Sequence, residues 1–198
     1  MFQSITDRLL ADVRLNASGY KFPPSQVLKC HGEPLFRSQQ ARNLACLFDL
    51  SANVVSWTCL PVLLRFGDGF HIPDFAVQRN DGDYLVDAAR TPEWAIKAAE
   101  IDDWLYDCVS YKQDDKAEVI ANAVDLLPYA LTSTVSLADR LRLLTALDDD
   151  GPLPLKYCIQ LVRGTADPMS AIATLYFSGE ISFDLTERIS PETRVSRA

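Results

Sequence analysis

The chain has 198 residues, 48% hydrophobic and 23% charged, which suits a core-forming protein and excludes a disordered or fibrous one. A net charge of -8 argues against a general nucleic-acid coat protein, which needs surplus cations for phosphate. No charged segment leads into an apolar one at the N-terminus and no apolar run approaches about 18 residues, so a soluble, cytoplasmic protein with no membrane partner is expected.

Ile5, Leu9, Leu10 and Val13 recur at helical spacing with Ser4 placed to cap them, and FPPS at 22–25 then breaks the chain. From Arg37, RSQQARNLACLFDL predicts a helix with Ala41, Leu44, Ala45 and Phe48 on one face and Ser38 as N-cap. VVSWTCLPVLLRF is β-branched and aromatic but interrupted by Pro61, so it predicts one bent strand or two short ones, turned back by GDGF. FHIPDFAV and DYLVDAA predict a hairpin around RNDG. TPEW starts a helix with Thr91 as N-cap, Pro92 in the first helical position and Glu93 in the first turn. Its body, AIKAAEIDDWLYDCV, predicts a single helix packing Ile96, Ile101, Trp104, Leu105 and Cys108.

After a polar YKQDDK link, EVIANAVDLLPYAL predicts a helix ending near Pro128. LADRLRLLTAL, PLKYCIQLVRG and PMSAIATLYFSG predict three more, separated by DDDGP and GTAD, and EISFDL and ETRV predict a small ribbon. Three helices and a β wing make a winged helix-turn-helix. The expected organisation is an α/β domain over residues 1–135 and a winged-helix domain over 136–198.

Charge is distributed unevenly: residues 1–66 carry +3, residues 67–150 carry -11 and residues 151–198 carry 0. The acidic middle is a solvated helical face, a carboxylate-rich centre for a divalent cation, or a surface for a basic partner. The five cysteines, Cys30, Cys46, Cys59, Cys108 and Cys158, are odd in number and form no CxxC pair, so they read as core thiols of a reducing compartment. Only His31 and His71 are available to join them, which argues against zinc. Cys30-His31 is not expected to form a catalytic thiol–imidazole pair, because adjacent side chains of a strand face opposite ways. Asp148, Asp149 and Asp150 read as a solvated interdomain turn, since no spaced carboxylates complete a calcium loop.

Asp74 and Asp87 are the candidate site. Each is a carboxylate inside an apolar run, thirteen residues apart across the expected hairpin. Two carboxylates on adjacent strands can hold Mg²⁺ or Mn²⁺ beside a scissile phosphate, with a lysine to help activate water. The structural alternative is that Asp74 caps a turn and that Asp87 pairs with Arg90 or Arg65.

The stretches Ser38-Gln39-Gln40-Ala41-Arg42, Val54-Val55-Ser56-Trp57, Leu60-Pro61, Pro73-Asp74-Phe75-Ala76-Val77, Asp81-Gly82 and Leu85-Val86-Asp87 resemble the nuclease domain of TnsA-type transposase endonuclease subunits. That family's site has the PD-(D/E)xK pattern of restriction-endonuclease-like enzymes. The resemblance covers residues 35–110 and continues more weakly through SGEISFDLTERISPETRV. It implies a restriction-endonuclease-like central mixed sheet flanked by helices, followed by a C-terminal winged helix-turn-helix. It also implies Asp74 and Asp87 as ligands of Mg²⁺ or Mn²⁺, and double-stranded DNA and a transposase or regulatory subunit as partners.

The chain departs from that pattern at two catalytic positions: Ala41 stands where the family places its helix glutamate, and Ala89 where it places its lysine. A methyl group neither binds metal nor orients water. The cations available to replace the lysine are Arg90 and Lys97, and Glu33, Gln39 and Gln40 are the candidates to replace the glutamate. Three readings follow: a DNA-associated pseudonuclease acting in recombination or its regulation, a Mg²⁺-dependent endonuclease with a relocated lysine, and a protein-interaction module without DNA contact. The last helix of the expected winged fold has no Arg, Lys, Asn or Gln and offers only Ser170, Thr174 and Ser178 as exposed polar positions, so base readout by it is not expected. Arg163, Arg188, Arg194 and Arg197 are the candidate phosphate contacts.

Overall fold

In the computed structural model, which describes residues 2–101, 104–108, 116–130 and 135–198, the first apolar stripe forms α1 (Phe2–Ser18). That helix begins ahead of Ser4, so the expected cap is not at its end. Helix α2 (Gln39–Leu50) starts where its cap dictates: the Ser38 hydroxyl accepts the Ala41 N–H at 3.1 Å. Its inward face is the expected Ala41, Leu44, Ala45 and Phe48.

The apolar segment that follows is two strands in two different sheets, β1 (Val54–Cys59) and β2 (Leu64–Phe66). Between them Leu60 takes a φ of 48°, the only positive value among the described non-glycine residues, and its N–H donates to the Asp74 carbonyl at 2.9 Å. Pro61 then supplies no donor to extend the ladder. Strand β2 pairs with β3 (Gly69–His71) across a turn where Gly67 sits at φ 58°.

Strands β4 (Phe75–Arg79) and β5 (Gly82–Asp87) form the expected hairpin, with Asn80 and Asp81 as its loop. The first expected strand was too long: residues 69–71 belong to β3, and Asp74 stands just ahead of β4. Helix α3 (Glu93–Ile101) is likewise shorter than its periodicity suggested, because Leu105–Cys108 is a strand, β6, parallel to β5. The pairing of Leu85 with Tyr106 and of Asp87 with Cys108 supplies backbone partners that override the helical spacing of the apolar residues.

The resulting mixed sheet has the order β1-β4-β5-β6. Alternate residues of its strands feed two cores. Phe75, Val77 and Val86 join Trp57, Phe36 and Phe48 on the side of α2, while Leu85 packs with Ala95 and Ala99 of α3 on the other. On the α2 side the Phe75 ring meets Phe48 and Trp57 edge-on, at 5.2 and 5.7 Å between centroids.

The chain divides into two units, Met1–Lys112 and Gln113–Ala198. The second contains α4 (Ala117–Ala130), which the 1–135 grouping had assigned to the first. Fully buried Asn122 ties α4 into that unit: its amide donates to the Leu185 and Glu187 carbonyls, and its side-chain oxygen accepts the Ile189 N–H. Three further helices, α5 (Leu137–Asp150), α6 (Leu155–Leu161) and α7 (Pro168–Phe177), accompany a three-stranded sheet. That sheet comprises β7 (Leu153–Pro154), β8 (Ile181–Ser182) and β9 (Arg194–Arg197), with β9 in the middle. Asp148, Asp149 and Asp150 are the last turn of α5 and not a free turn; Gly151, at φ 74°, ends the helix.

Buried Asp139 joins α5 to the chain after α6. Its oxygens accept the Arg163 N–H at 2.9 Å, the Gly164 N–H at 2.7 Å and the Ser136 hydroxyl at 2.8 Å, and meet the Arg142 guanidinium at 2.5 Å. The Arg163 N–H leads these donors in holding the carboxyl down at about 2 against the opposing effect of burial. A depressed carboxylate pKa gives stability that is present above the unfolded value of about 3.9 and lost as pH falls through the folded one. Asp139→Asn is therefore expected to melt earlier than the wild type at pH 7, with the gap closing as the pH falls from about 4 to about 2. Circular-dichroism melts across that range check it, and a gap independent of pH would rule out the ionised carboxylate as the cause.

Candidate functional site

Asp74 and Asp87 come together where the start of β4 meets the end of β5, and both are buried, at 8% and 2% exposure. The Asp74 N–H donates to Asp87 Oδ1 at 3.1 Å, so the two residues are joined by a backbone-to-carboxylate bond. Asp74 Oδ1 accepts two bonds from Arg37, Nε at 2.9 Å and Nη2 at 2.6 Å, and Oδ2 accepts the Ala88 N–H at 2.9 Å. Arg37 Nη2 also donates to the Ile72 carbonyl at 2.9 Å. It lies immediately before the Ser38 cap, so the start of α2 places the guanidinium on the carboxylate.

Asp87 Oδ2 collects three donors. Thr91 Oγ1 stands at 2.7 Å, Tyr106 Oη at 2.8 Å and His71 Nε2 at 2.8 Å, and His71 Nε2 is also 3.1 Å from Tyr106 Oη. A carboxylate only accepts, so the His71 proton facing it is on Nε2. Burial pushes the Asp87 carboxyl up, but His71, Thr91 and Tyr106 outweigh it and hold it below the ordinary carboxylate range. The Thr91 hydroxyl donates to Asp87, and α3 begins at Glu93, so Pro92 and not Thr91 immediately precedes its first residue.

Every oxygen of the two carboxylates already receives a donor from the protein. Mg²⁺ or Mn²⁺ needs several oxygen ligands with free lone pairs. Here Arg37 and His71 stand against the oxygens that a cation would take. Among the described residues no group of three or more His, Cys, Asp or Glu side chains is arranged to hold a metal ion. The residues present do not fit the metal that the resemblance implies.

Compared with known proteins, the chain matches no family model and no curated protein sequence.

The other sequence-derived candidates lie elsewhere. Arg90 and Lys97 are exposed on a groove of about 760 Å³ that also includes Phe66, Thr91 and Trp94, and neither reaches ion-pairing distance of Asp74 or Asp87. Ala41 is buried at 1% in the core and Ala89 is exposed. Of the substitutes for the missing glutamate, Gln39 spends its amide on the Pro23 carbonyl and Asn43, while Gln40 and Glu33 are exposed and bond to neither aspartate. Arg37, His71, Thr91 and Tyr106 are the partners that sequence reasoning missed. His71 stands three residues before Asp74, but in sequence a histidine there signals a metal ligand as readily as a carboxylate partner. Tyr106 was hidden by its assignment to a helix.

In the second unit, three of the four candidate phosphate contacts are engaged internally. Arg188 pairs with Asp125 at 2.7 Å, Arg194 donates to the Pro152 carbonyl at 2.9 Å, and Arg197 reaches Asp148 at 3.2 Å and the Glu180 carbonyl at 3.0 Å. Arg163 has an exposed side chain. Helix α7, where the sequence predicts the last helix of a winged fold, is mostly interior: Ala171, Ile172, Ala173 and Leu175 are buried, and so is Ser170, at 2% exposure, contrary to its expected surface position. A helix apolar all round is one that other elements cover.

Proposed function

We propose that this chain is a non-cutting counterpart of a TnsA-type endonuclease subunit, with a restriction-endonuclease-like first unit and a winged-helix second unit. Its role on this reading is assembly or regulation within a DNA-recombination machine. The observation that carries the reading is the occupation of Asp74 and Asp87 by Arg37 and by His71, Thr91 and Tyr106. Ala41 and Ala89, at the two family positions that would complete the chemistry, support it. The test is a plasmid-nicking assay in Mg²⁺ and in Mn²⁺, run beside Asp74→Ala and Asp87→Ala. The expected result is no cleavage by any of the three proteins above the buffer background. Cleavage by the wild type that both substitutions abolish would establish the alternative, an active endonuclease whose metal displaces Arg37 and His71.

A second reading, a protein-docking module without DNA contact, has its own support. The second unit carries eight Lys/Arg against thirteen Asp/Glu, a net charge of -5, and its arginines are largely paired within the unit. The salt dependence of duplex binding separates the two, because each phosphate contact adds to the slope of affinity against salt.

A further inference from the structure

Several cations of the first unit are spent on the protein itself. Arg14, Lys29 and Arg42 donate to backbone carbonyls, and Arg37 and Arg79 meet Asp74 and Asp107. Arg90 and Lys97 differ: both are exposed, and among the described residues neither forms a hydrogen bond, ion pair or ring contact. Glu93 stands four residues before Lys97 on α3, the spacing of a helical ion pair, yet the two do not pair. All three line the same groove of about 760 Å³.

The groove also presents two aromatic rings. Phe66, at the end of β2, is 57% exposed, and its ring lies 18° from parallel to that of Trp94 with 6.4 Å between centroids. Trp94 is fixed from behind. Its ring packs against the cluster of Leu64, Leu85, Ala95 and Ala99, meets His71 edge-on, and lies so close to the Gly69 backbone that a Cβ there would come within 3.3 Å of Cζ2. Trp94 and Lys97 are three residues apart and so share one face of α3, while Arg90 lies just ahead of the helix. A rigid ring beside two unpaired cations suits a flat, anionic molecule, and preformed contacts reduce the ordering that binding costs. The volume lies within the range of small-molecule clefts.

We propose that the groove binds a ribonucleoside 5′-phosphate. The base stacks on the Trp94 and Phe66 rings, as any base can because each has a π-face. The phosphate, with a charge of about -2 near neutral pH, takes Arg90 and Lys97, and the Glu93 carboxylate accepts the sugar hydroxyls. An aromatic acid without a sugar would satisfy the rings and the cations but leave Glu93 facing its negative charge. This inference does not rest on the nuclease-like reading, since neither Asp74 nor Asp87 lines the groove.

The experiment is equilibrium dialysis of the folded full-length chain against adenosine, guanosine, cytidine and uridine 5′-monophosphates. The tightest of them is then compared with its nucleoside, its 2′-deoxy form and inorganic phosphate. Saturable binding of at least one nucleotide is expected, weakened about tenfold or more in Arg90→Ala and in Lys97→Ala, each of which removes one charged hydrogen bond from an exposed position. The nucleoside should lose as much, and Glu93→Ala should bind the ribo and deoxy forms alike. Circular dichroism confirms that the variants fold. No binding of any nucleotide at about 1 mM would overturn the proposal, as would affinity unchanged in both cation variants. Equal binding of the 2′-deoxy form by the wild type, inorganic phosphate competing as well as the nucleotide, or binding of a single-stranded oligonucleotide in place of the free nucleotide would also overturn it.

Discussion

Asp87→Ala is expected to destabilise the first unit by about 3–5 kcal/mol, the range for removing one partner of a buried charged network. The aspartate is 2% exposed, and its loss removes at once the acceptor of His71 Nε2, the Thr91 and Tyr106 hydroxyls and the Asp74 N–H. Asp74→Ala is expected to cost less, about 1–3 kcal/mol, because Arg37 is 36% exposed and can turn to water. The sign discriminates between a structural pair of acids and a live metal site. Where two carboxylates await a metal they repel each other, and removing one relieves strain stored for function. Where protein donors already satisfy them, removal only breaks bonds. Urea unfolding of the wild type and both variants in chelator measures the difference, and a gain in stability for either variant would contradict the structural role. The depressed Asp87 pKa adds a pH signature: the wild-type advantage is present above the ordinary carboxylate range and declines as pH falls through the lower folded value.

Local chemistry made much of this fold readable. Ser38 capped the helix it was expected to cap, and the polar turn between Phe75 and Asp87 closed the hairpin that brings the two acids together. What escaped was set by tertiary pairing. Leu105–Cys108 has helical apolar spacing but is a strand because the edge of β5 is there to receive it. Ser170 looked exposed because polar residues usually are, yet α7 is covered around most of its circumference. The candidate site was half legible. Pro73-Asp74 and Asp87 advertised two clustered acids, but the groups that define their chemistry come from residues 37, 71, 91 and 106, which no spacing rule connects. An aspartate in an apolar run shows that it must be satisfied and does not show by what.

Arg42→Ala is expected to cost about 3–5 kcal/mol, combining a cavity with the loss of buried hydrogen bonds. Arg42 has 0% exposure, donates to the Pro24 carbonyl at 2.7 Å and the Gln26 carbonyl at 2.6 Å, and lies 5.1 Å from the Phe36 ring centroid. It pins residues 24–26 to α2, the helix whose start presents Arg37 to Asp74. Arg42→Met separates the contributions: it fills most of the volume while leaving both carbonyls without donors, so about 1–3 kcal/mol of the loss should remain. Arg42→Lys should fail in the same way, since an ammonium cannot reproduce the fork that spans two carbonyls. The buried Asp49 carboxylate reports the electrostatic part. Burial raises its pKa, and the Lys29 N–H, the Trp57 indole and the Arg42 charge oppose that rise. Without Arg42 the folded pKa climbs further, so ionised Asp49 becomes a greater liability at neutral pH and none once protonated in both states. The gap between wild type and Arg42→Met should therefore narrow as pH falls toward the unfolded carboxylate value. A gap that stays constant with pH would show that Arg42 holds this corner through its carbonyl bonds and its packing alone.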